Sequence, residues 1–340
     1  MNNATPLDLA KRMAKIDSLI ELTVFGAPAL YNVEQLAQRI GVAPEHAYNL
    51  GHWVDHTPLS ADEVKFSDID AQAAAEGLMF AAYQGFSEAE FGDFVRSISL
   101  SMERLTARQV EALVQKIAKE ENVSDTEARL RAGERAPALT QELLPLVEHV
   151  YRRQFVNAIR RLTVTAIAQR GLHDEETAYP LVRAVGFADI VNFSSLVEKA
   201  TPTELSEIVR SFQSTCLDIV KRFRGRVVNF IGDKVFFTTD NISDAAQIAL
   251  LLADENGLGN CGTARVGLVW YRVITAEGDL FGPGVNLASR LCDAAEPATV
   301  LVDAKAAALL NQTGEFKVTS LPDIELRGIG TVTPSLLQTA

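Results

Sequence analysis

LVRAVGFADIVNFSSLVEK, residues 181–199, is the stretch on which the reading of the fold turns. Its first half, LVRAVGFADI, is a short β-rich run and reads as a strand. The strand is expected to run out at Phe187-Ala188-Asp189, and a helix to start near Ser194 or Ser195, either of which can cap it. The turn between would aim backbone N–H groups at an anion. Outward from this stretch the same grammar continues. RVVNFIGDKVFFTT (226–239), TARVGLVWYRVIT (263–275) and ATVLVD (298–303) are short β-rich runs. PTELSEIVRSFQSTCLDIVKRF (202–223) and SDAAQIALLLADE (243–255) are helical stretches between them. Strands that alternate with helices make an α/β domain.

Upstream the pattern differs. From Leu7 to about Arg170 apolar residues recur at helical spacing, punctuated by GAP (26–28), GVAP (41–44), Gly51 and Pro58. A long helical stretch from about Pro137 reads as a connecting helix, and the boundary is expected in the polar segment RGLHDEETAYP (170–180). The expected organisation is therefore an all-helical domain over 1–136, a connecting helix and linker over 137–178, and an α/β domain over 179–340. There is no internal repeat and no low-complexity tract.

A chain of 340 residues is too long for one compact core, which agrees with two domains. A formal charge of −12 speaks against a protein that holds phosphate backbones or an anionic membrane surface. Cys216, Cys261 and Cys292 are too few and too scattered for a disulfide framework or a Cys-rich zinc site. No apolar stretch reaches the length that spans a bilayer, and MNNATPLDLAKRM lacks the apolar core of a secretion signal, so a cytoplasmic location is expected.

Three features of the second half carry chemistry. Asp189 at a strand end can hold a hard cation through oxygen, although a single Asp there is ordinarily a turn residue. Asp233 lies in the Gly232-Asp233 turn of a hairpin, and two strand-end carboxylates in one small domain are what a two-metal site needs. DLFGPGVNLASRLCDAAEP (279–297) opens as a Gly/Pro loop and is expected to become helical at about Val285. Asn286 and Arg290, four apart, then share a helix face, where Arg can clamp a phosphate and Asn can position a sugar.

FADIVNFS, the IGD hairpin and D-x-x-G-x-x-V-N-x-x-x-R, in that order, resemble the class III nucleotidyl cyclase catalytic domain over essentially all of 179–340. ELRGIG (325–330) looks like the family's terminal strand motif. The resemblance implies a ferredoxin-like mixed sheet with flanking helices, an α/β (α+β) fold, preceded by an all-α regulatory domain. It implies cyclisation of ATP to cyclic AMP with two divalent cations, Mg²⁺ or Mn²⁺, held by Asp189, the backbone of Ile190 and Asp233. Val191, Asn192, Phe193 and Ser194 would form the phosphate-binding loop. Asn286 would orient the ribose, Arg290 would stabilise the α-phosphoryl transition state, and Asp279 would read the adenine amino group.

One position departs from that pattern: Asn229 stands where ATP-using members carry Lys. Its amide can still donate to a ring nitrogen. Lys234 cannot replace that Lys, because it faces the other side of the strand. The resemblance further implies a head-to-tail homodimer, with Asp189 and Asp233 from one chain and Asn229, Asp279, Asn286 and Arg290 from the other. A catalytically weak or inactive nucleotide-binding relative, or one half of a heterodimer, is the alternative that Asn229 raises.

In the first half YNVEQLAQRIGVAPEHAYNLGHWVDH (31–56) is written like a helix-turn-helix, the basis for a transcription regulator as a second alternative. Its only cation at neutral pH is Arg39, against Glu34, Glu45 and Asp55, so no DNA binding is expected. ALYNVEQLAQRIGVAPEHAYNLGHWV (29–54), FSDIDAQAAAEGLMFAAYQGFSEAEF (66–91) and LLPLVEHVYRRQF (143–155) resemble the N-terminal regulatory domain of certain actinobacterial class III cyclases, some of which respond to pH. That resemblance implies an autoinhibitory domain. All five histidines fall at or before residue 173, and His149 and His173 are the candidate sensors, His being the side chain that titrates near neutrality.

Overall fold

The computed structural model describes residues 6–55, 60, 62–169, 181–254, 257–276 and 278–340. The chain divides after Leu172 into two compact units.

The first unit is helical: α1 (Pro6–Ile20), a π-helical turn (Glu21–Phe25), α2 (Val33–Ile40), α3 (Pro44–Val54), α4 (Asp68–Gln84), α5 (Glu88–Glu121) and α6 (Asp125–Gln169). Three starts are fixed by capping boxes, in which Asn32, Ser67 and Ser87 each exchange hydrogen bonds with the residue three positions on. Among the described residues its only β feature is the isolated bridge between Tyr31 and Phe66. Gly41, left-handed at φ 74°, turns α2 into α3, the pair written in the sequence as a helix-turn-helix. The connecting helix begins at Asp125 rather than near Pro137, and it runs on through Pro137 and Pro145. Its early turns are secured because Ala128 and Ala132 pack against Val114 and Ile117 of α5, and Arg129 and Arg131 pair with Asp125 and Glu127 one turn back. Position 136 thus lies inside one continuous helix, and residues 170–180 lie outside the described ones.

The second unit comprises β1 (Leu181–Ile190), α7 (Phe193–Lys199), α8 (Pro202–Arg222), β2 (Arg226–Ile231), β3 (Lys234–Thr239), α9 (Ile242–Ala253) and a 3-10 turn (Gly259–Cys261). There follow β4 (Ala264–Ala276), β5 (Asp279–Phe281), α10 (Pro283–Ala294), β6 (Val300–Val302), α11 (Ala304–Thr313), β7 (Phe316–Ser320), β8 (Ile324–Leu326), β9 (Gly330–Val332) and β10 (Ser335–Thr339). The main sheet has the order β2-β3-β1-β4-β6-β10-β7, with β5 added to β4. It is mixed: β4 and β6 are parallel, and the other pairs are antiparallel.

The apolar character of β1 follows from its place. Ala184, Ala188 and Ile190 enter a core with α8, α9 and α11, while Val185 and Phe187 enter a second core with α10 and β8. Successive side chains point to opposite faces, and both faces are covered.

Three local expectations are corrected. The helix after β1 starts at Phe193, with Asn192 in a left-handed conformation at the cap and no side-chain capping bond, so neither Ser194 nor Ser195 caps it. The helix at 279–297 starts at Pro283, two residues before Val285, because a proline ring fits the first helical position. ELRGIG spans the separate β8–β9 ribbon, and the last strand of the main sheet is β10. Among the described residues no helix is long and apolar enough to cross a membrane.

Candidate active site

Asp189 sits one residue before the end of β1, in register with Lys234 on β3 and Arg265 on β4. It is only 7% exposed. A buried carboxylate needs a partner, and Arg265 supplies one: Nε (3.1 Å) and Nη2 (2.7 Å) both donate to Oδ2. Asp233 occupies the second position of the two-residue turn between β2 and β3, where Gly232 has φ 63°. The Ile190 N–H donates to the Asp233 carbonyl at 3.3 Å, so the two strand-end carboxylates lie at one end of the sheet. Burial pushes the Asp233 carboxyl above the ordinary aspartate range, and the charge of Asp189 pushes it the same way, against Lys234 and Arg265.

This donor set fits a hard divalent cation. Both Arg265 bonds fall on Oδ2 of Asp189, which leaves Oδ1 as the oxygen a cation would take, beside the carboxylate of Asp233 and the backbone of Ile190. No group of three or more His, Cys, Asp or Glu side chains able to hold a metal occurs among the described residues.

Asn286 and Arg290 lie on the exposed face of α10. The helix is seated on β4 through two glycines. A Cβ on Gly267 would come within 2.2 Å of the Ala288 carbonyl oxygen, and one on Gly284 within 2.3 Å of the Tyr271 Cβ. Helix and strand backbones touch at Gly267, and this fixes where Asn286 and Arg290 emerge. At the end of α10, Arg290 Nη1 donates to Asp293 Oδ2 (3.1 Å), and Lys234 Nζ donates to Asp293 Oδ1 (2.7 Å). Lys234 and Arg290 hold the Asp293 carboxyl below the ordinary range despite its partial burial. Arg265 Nη1 donates to the Asp293 carbonyl (2.8 Å), a favourable place for a cation at a helix C-terminus.

Asn229 lies on the exposed side of β2, next to a bulge, and its side-chain oxygen accepts from the Phe230 N–H. Asp279 opens β5, its carboxylate accepting from the Leu280 N–H at 2.7 Å. Arg226 Nη1 donates to the Gly278 carbonyl at 3.1 Å and so ties the strand of Asn229 to the ribbon of Asp279. Lys234 is committed to Asp293 and not to this group.

In the loop Val191–Ser194 the Val191 N–H is taken by the Thr263 carbonyl at 2.8 Å, so that amide does not face an anion. A cavity of about 710 Å³ opens between this loop, α7 and α8, lined by residues including Asn192, Lys199, Glu204 and Glu207, but neither Asp189 nor Asp233 lines it. His149 is exposed on α6, and His173 lies outside the described residues. Arg265 and Asp293 were not singled out in the sequence, and Lys234 was weighed only at the base. The available signal was a cation at the start of the otherwise apolar run ARVGLVW.

Residues 260–339 match the Adenylate and Guanylate cyclase catalytic domain family. The chain is 32% identical over 323 residues to an adenylate cyclase of Glutamicibacter nicotianae, covering 93% of this chain and 80% of that protein. It is 32% identical over 288 residues to an adenylate cyclase of Streptomyces coelicolor, covering 84% and 72% respectively. Among solved structures, the adenylyl cyclase CyaB of P. aeruginosa superposes with a TM-score of 0.41 at 19% identity, over 47% of this chain and 94% of that one.

Proposed function

Because this chain belongs to the class III adenylate cyclase family and is an adenylate cyclase, we propose that it cyclises ATP at a site shared by two head-to-tail copies. In this reading Asp189, Asp233 and the backbone of Ile190 hold two divalent cations, Mg²⁺ or Mn²⁺. The ribose 3′ oxygen bonds to the α-phosphorus as the bond from that phosphorus to the bridging oxygen of the β-phosphate breaks. Pyrophosphate leaves, and the hydroxyl proton goes to solvent. Bound cations would supply Lewis acidity to the hydroxyl and charge neutralisation to the phosphates.

The chain's own residues bind and orient. Asn286 holds the ribose, and Arg290 meets the charge that grows on the α-phosphoryl oxygens. Asp279 accepts from the adenine amino group and Asn229 donates to a ring nitrogen. With the Val191 N–H given to Thr263, the phosphate contacts of the loop fall to Asn192, Phe193 and Ser194.

The observation that carries this reading is the pairing of Asp189 and Asp233 at one end of the sheet, flanked by Arg265. In this reading Asp189 and Asp233 come from one copy, and Asn229, Asp279, Asn286 and Arg290 from the other. The helical unit is the regulatory part of a cytoplasmic enzyme, and acid pH is the input favoured by the histidines, since residues 181–340 hold none.

The test is cyclic AMP formation from ATP and Mn²⁺ by the full-length chain at pH 6 and pH 8. The wild type should be active, Asp189→Ala silent, Arg290→Ala reduced to a small but measurable rate, and their mixture active again once the dimers exchange. A silent mixture of exchanging chains would remove the shared site, and a pH profile unchanged in His149→Ala and His173→Ala would move the sensor elsewhere.

A further inference from the structure

The chemistry assigned to α10 depends on a flexible side chain, Arg290, that is about half exposed in one copy of the chain. An arginine in that state samples many rotamers, and a lone surface pair with a carboxylate three residues on does little to restrain it. Asp293 is not a lone partner. Its Oδ2 takes Arg290 and its Oδ1 takes Lys234, a cation rooted in β3 immediately after Asp233, whose side chain is only 18% exposed. Its carbonyl takes Arg265, which is bonded in turn to Asp189 on β1. One residue at the end of α10 is thus pinned at three oxygens by three cations, two of which are anchored on the strands that carry or flank the metal carboxylates.

We propose that Asp293 is a positioning residue of the cyclisation: through Lys234 and Arg265 it fixes the guanidinium of Arg290 at a set place relative to the sheet. The proposal rests on the reading of Arg290 as the group that meets the α-phosphate. The pinning has a clear physical logic. A carboxylate with both oxygens engaged has one rotamer, so the guanidinium it holds is preorganised, and the ordering entropy is met in the resting enzyme rather than in the transition state. Because Lys234 and Arg265 stand on neighbouring strands, the rigidity of the sheet is passed to a side chain at the surface of a helix. In a head-to-tail dimer the same bonds run from the metal carboxylates of one site to the arginine of the other.

The experiment is a double-mutant cycle on the full-length chain, with kcat and KM for ATP measured in saturating Mn²⁺. Asp293→Asn should lower kcat roughly 100-fold with KM almost unchanged, the size of effect expected when a reacting group is misplaced by about an ångström. Asp293→Glu should recover part of the loss. In an Arg290→Ala background Asp293→Asn should add nothing, since the residue acts only through that arginine. Binding of Mn²⁺, followed by the free-ion paramagnetic resonance signal, should match wild type, which separates positioning from damage to the fold. Lys234→Met, which frees one oxygen of Asp293, should lower kcat in the same direction by a smaller factor. Wild-type kcat in Asp293→Asn, or an equal fall with and without Arg290, overturns the proposal alone. Wild-type kcat in Arg290→Ala overturns the reading of Arg290 and the proposal with it.

Discussion

The sheet unit gathers its apolar residues into two cores, one on each face of the strands, whereas the helical unit spreads a smaller number over three separate clusters. The second arrangement leaves Met79, Tyr83, Leu144, Phe155 and Leu162 exposed along α4 and α6. The helical unit relies on ion pairs in compensation. Arg12 bonds Glu127 and Glu134, and Arg131 and Arg135 both reach Glu121. Continuous packing resists displacement and can hold reacting groups in fixed relation. Several small clusters bridged by solvated charges can shift against one another at low cost.

The contrast is broken most severely by removing one of the carboxylates proposed to hold a cation. Asp233→Asn should lower cyclase activity by roughly 1,000-fold, at the upper end of what one electrostatic group contributes. It should at the same time raise the melting temperature of the metal-free protein, because the native environment penalises the charged form of Asp233. A fall in both would mean that the carboxylate is structural.

The two packing regimes can be compared directly by the same truncation in each. Leu268→Ala, fully buried on β4, should cost about 3–4 kcal/mol in urea unfolding. Leu50→Ala, at 8% exposure in a four-residue cluster, should cost about 2 kcal/mol because its surroundings can close in. Equal losses would remove the distinction. Gly267→Ala forces a methyl against the α10 backbone and should cost about 1–3 kcal/mol, with kcat falling as Asn286 and Arg290 move.

Acid probes the ion pairs of the helical unit. Hydrogen bonds from Arg12 and Arg131 hold the Glu127 carboxyl below its ordinary value near 4.5, and Glu121 is lowered in the same way by Arg131 and Arg135. A depressed folded value contributes stability above pH 4.5 that is lost as pH falls through it. Circular dichroism melts should show the helical transition moving down below about pH 4.5 and shifting less in high salt. A helical transition indifferent to both would show that these pairs do not stabilise the unit. The smallest effect is expected at the base: Asn229→Lys should raise the preference for ATP over GTP by roughly tenfold, read from the two kcat/KM values. An unchanged ratio would remove Asn229 from the base.

The sheet was largely legible from sequence because β1, the β2–β3 hairpin and β4 are long, apolar runs with turn residues between them. The strands β7 and β10 were not, since FKVTS and SLLQT are too short and mixed to stand out from loop. Asp189, Asp233, Asn286 and Arg290 were visible as motif residues, but the bonds that organise them were not. Lys234 and Asp293 are 59 positions apart, and nothing local in either stretch announces a partner. The start of α6 was misplaced for a related reason. Proline ordinarily marks a helix boundary, and only packing on α5 shows that Pro137 lies inside one.

That helix has a mechanical side. Beyond Pro145 about 24 residues of α6 remain, an arm of roughly 36 Å at 1.5 Å per residue. Proline removes one ladder bond and is where long helices bend. A hinge of about 10° at that point would sweep the tip through about 6 Å, farther than one helical turn. An ångström-scale rearrangement at the fulcrum thus becomes a displacement several times larger at Gln169, and the gear ratio is set by nothing more than where the proline stands along the rod.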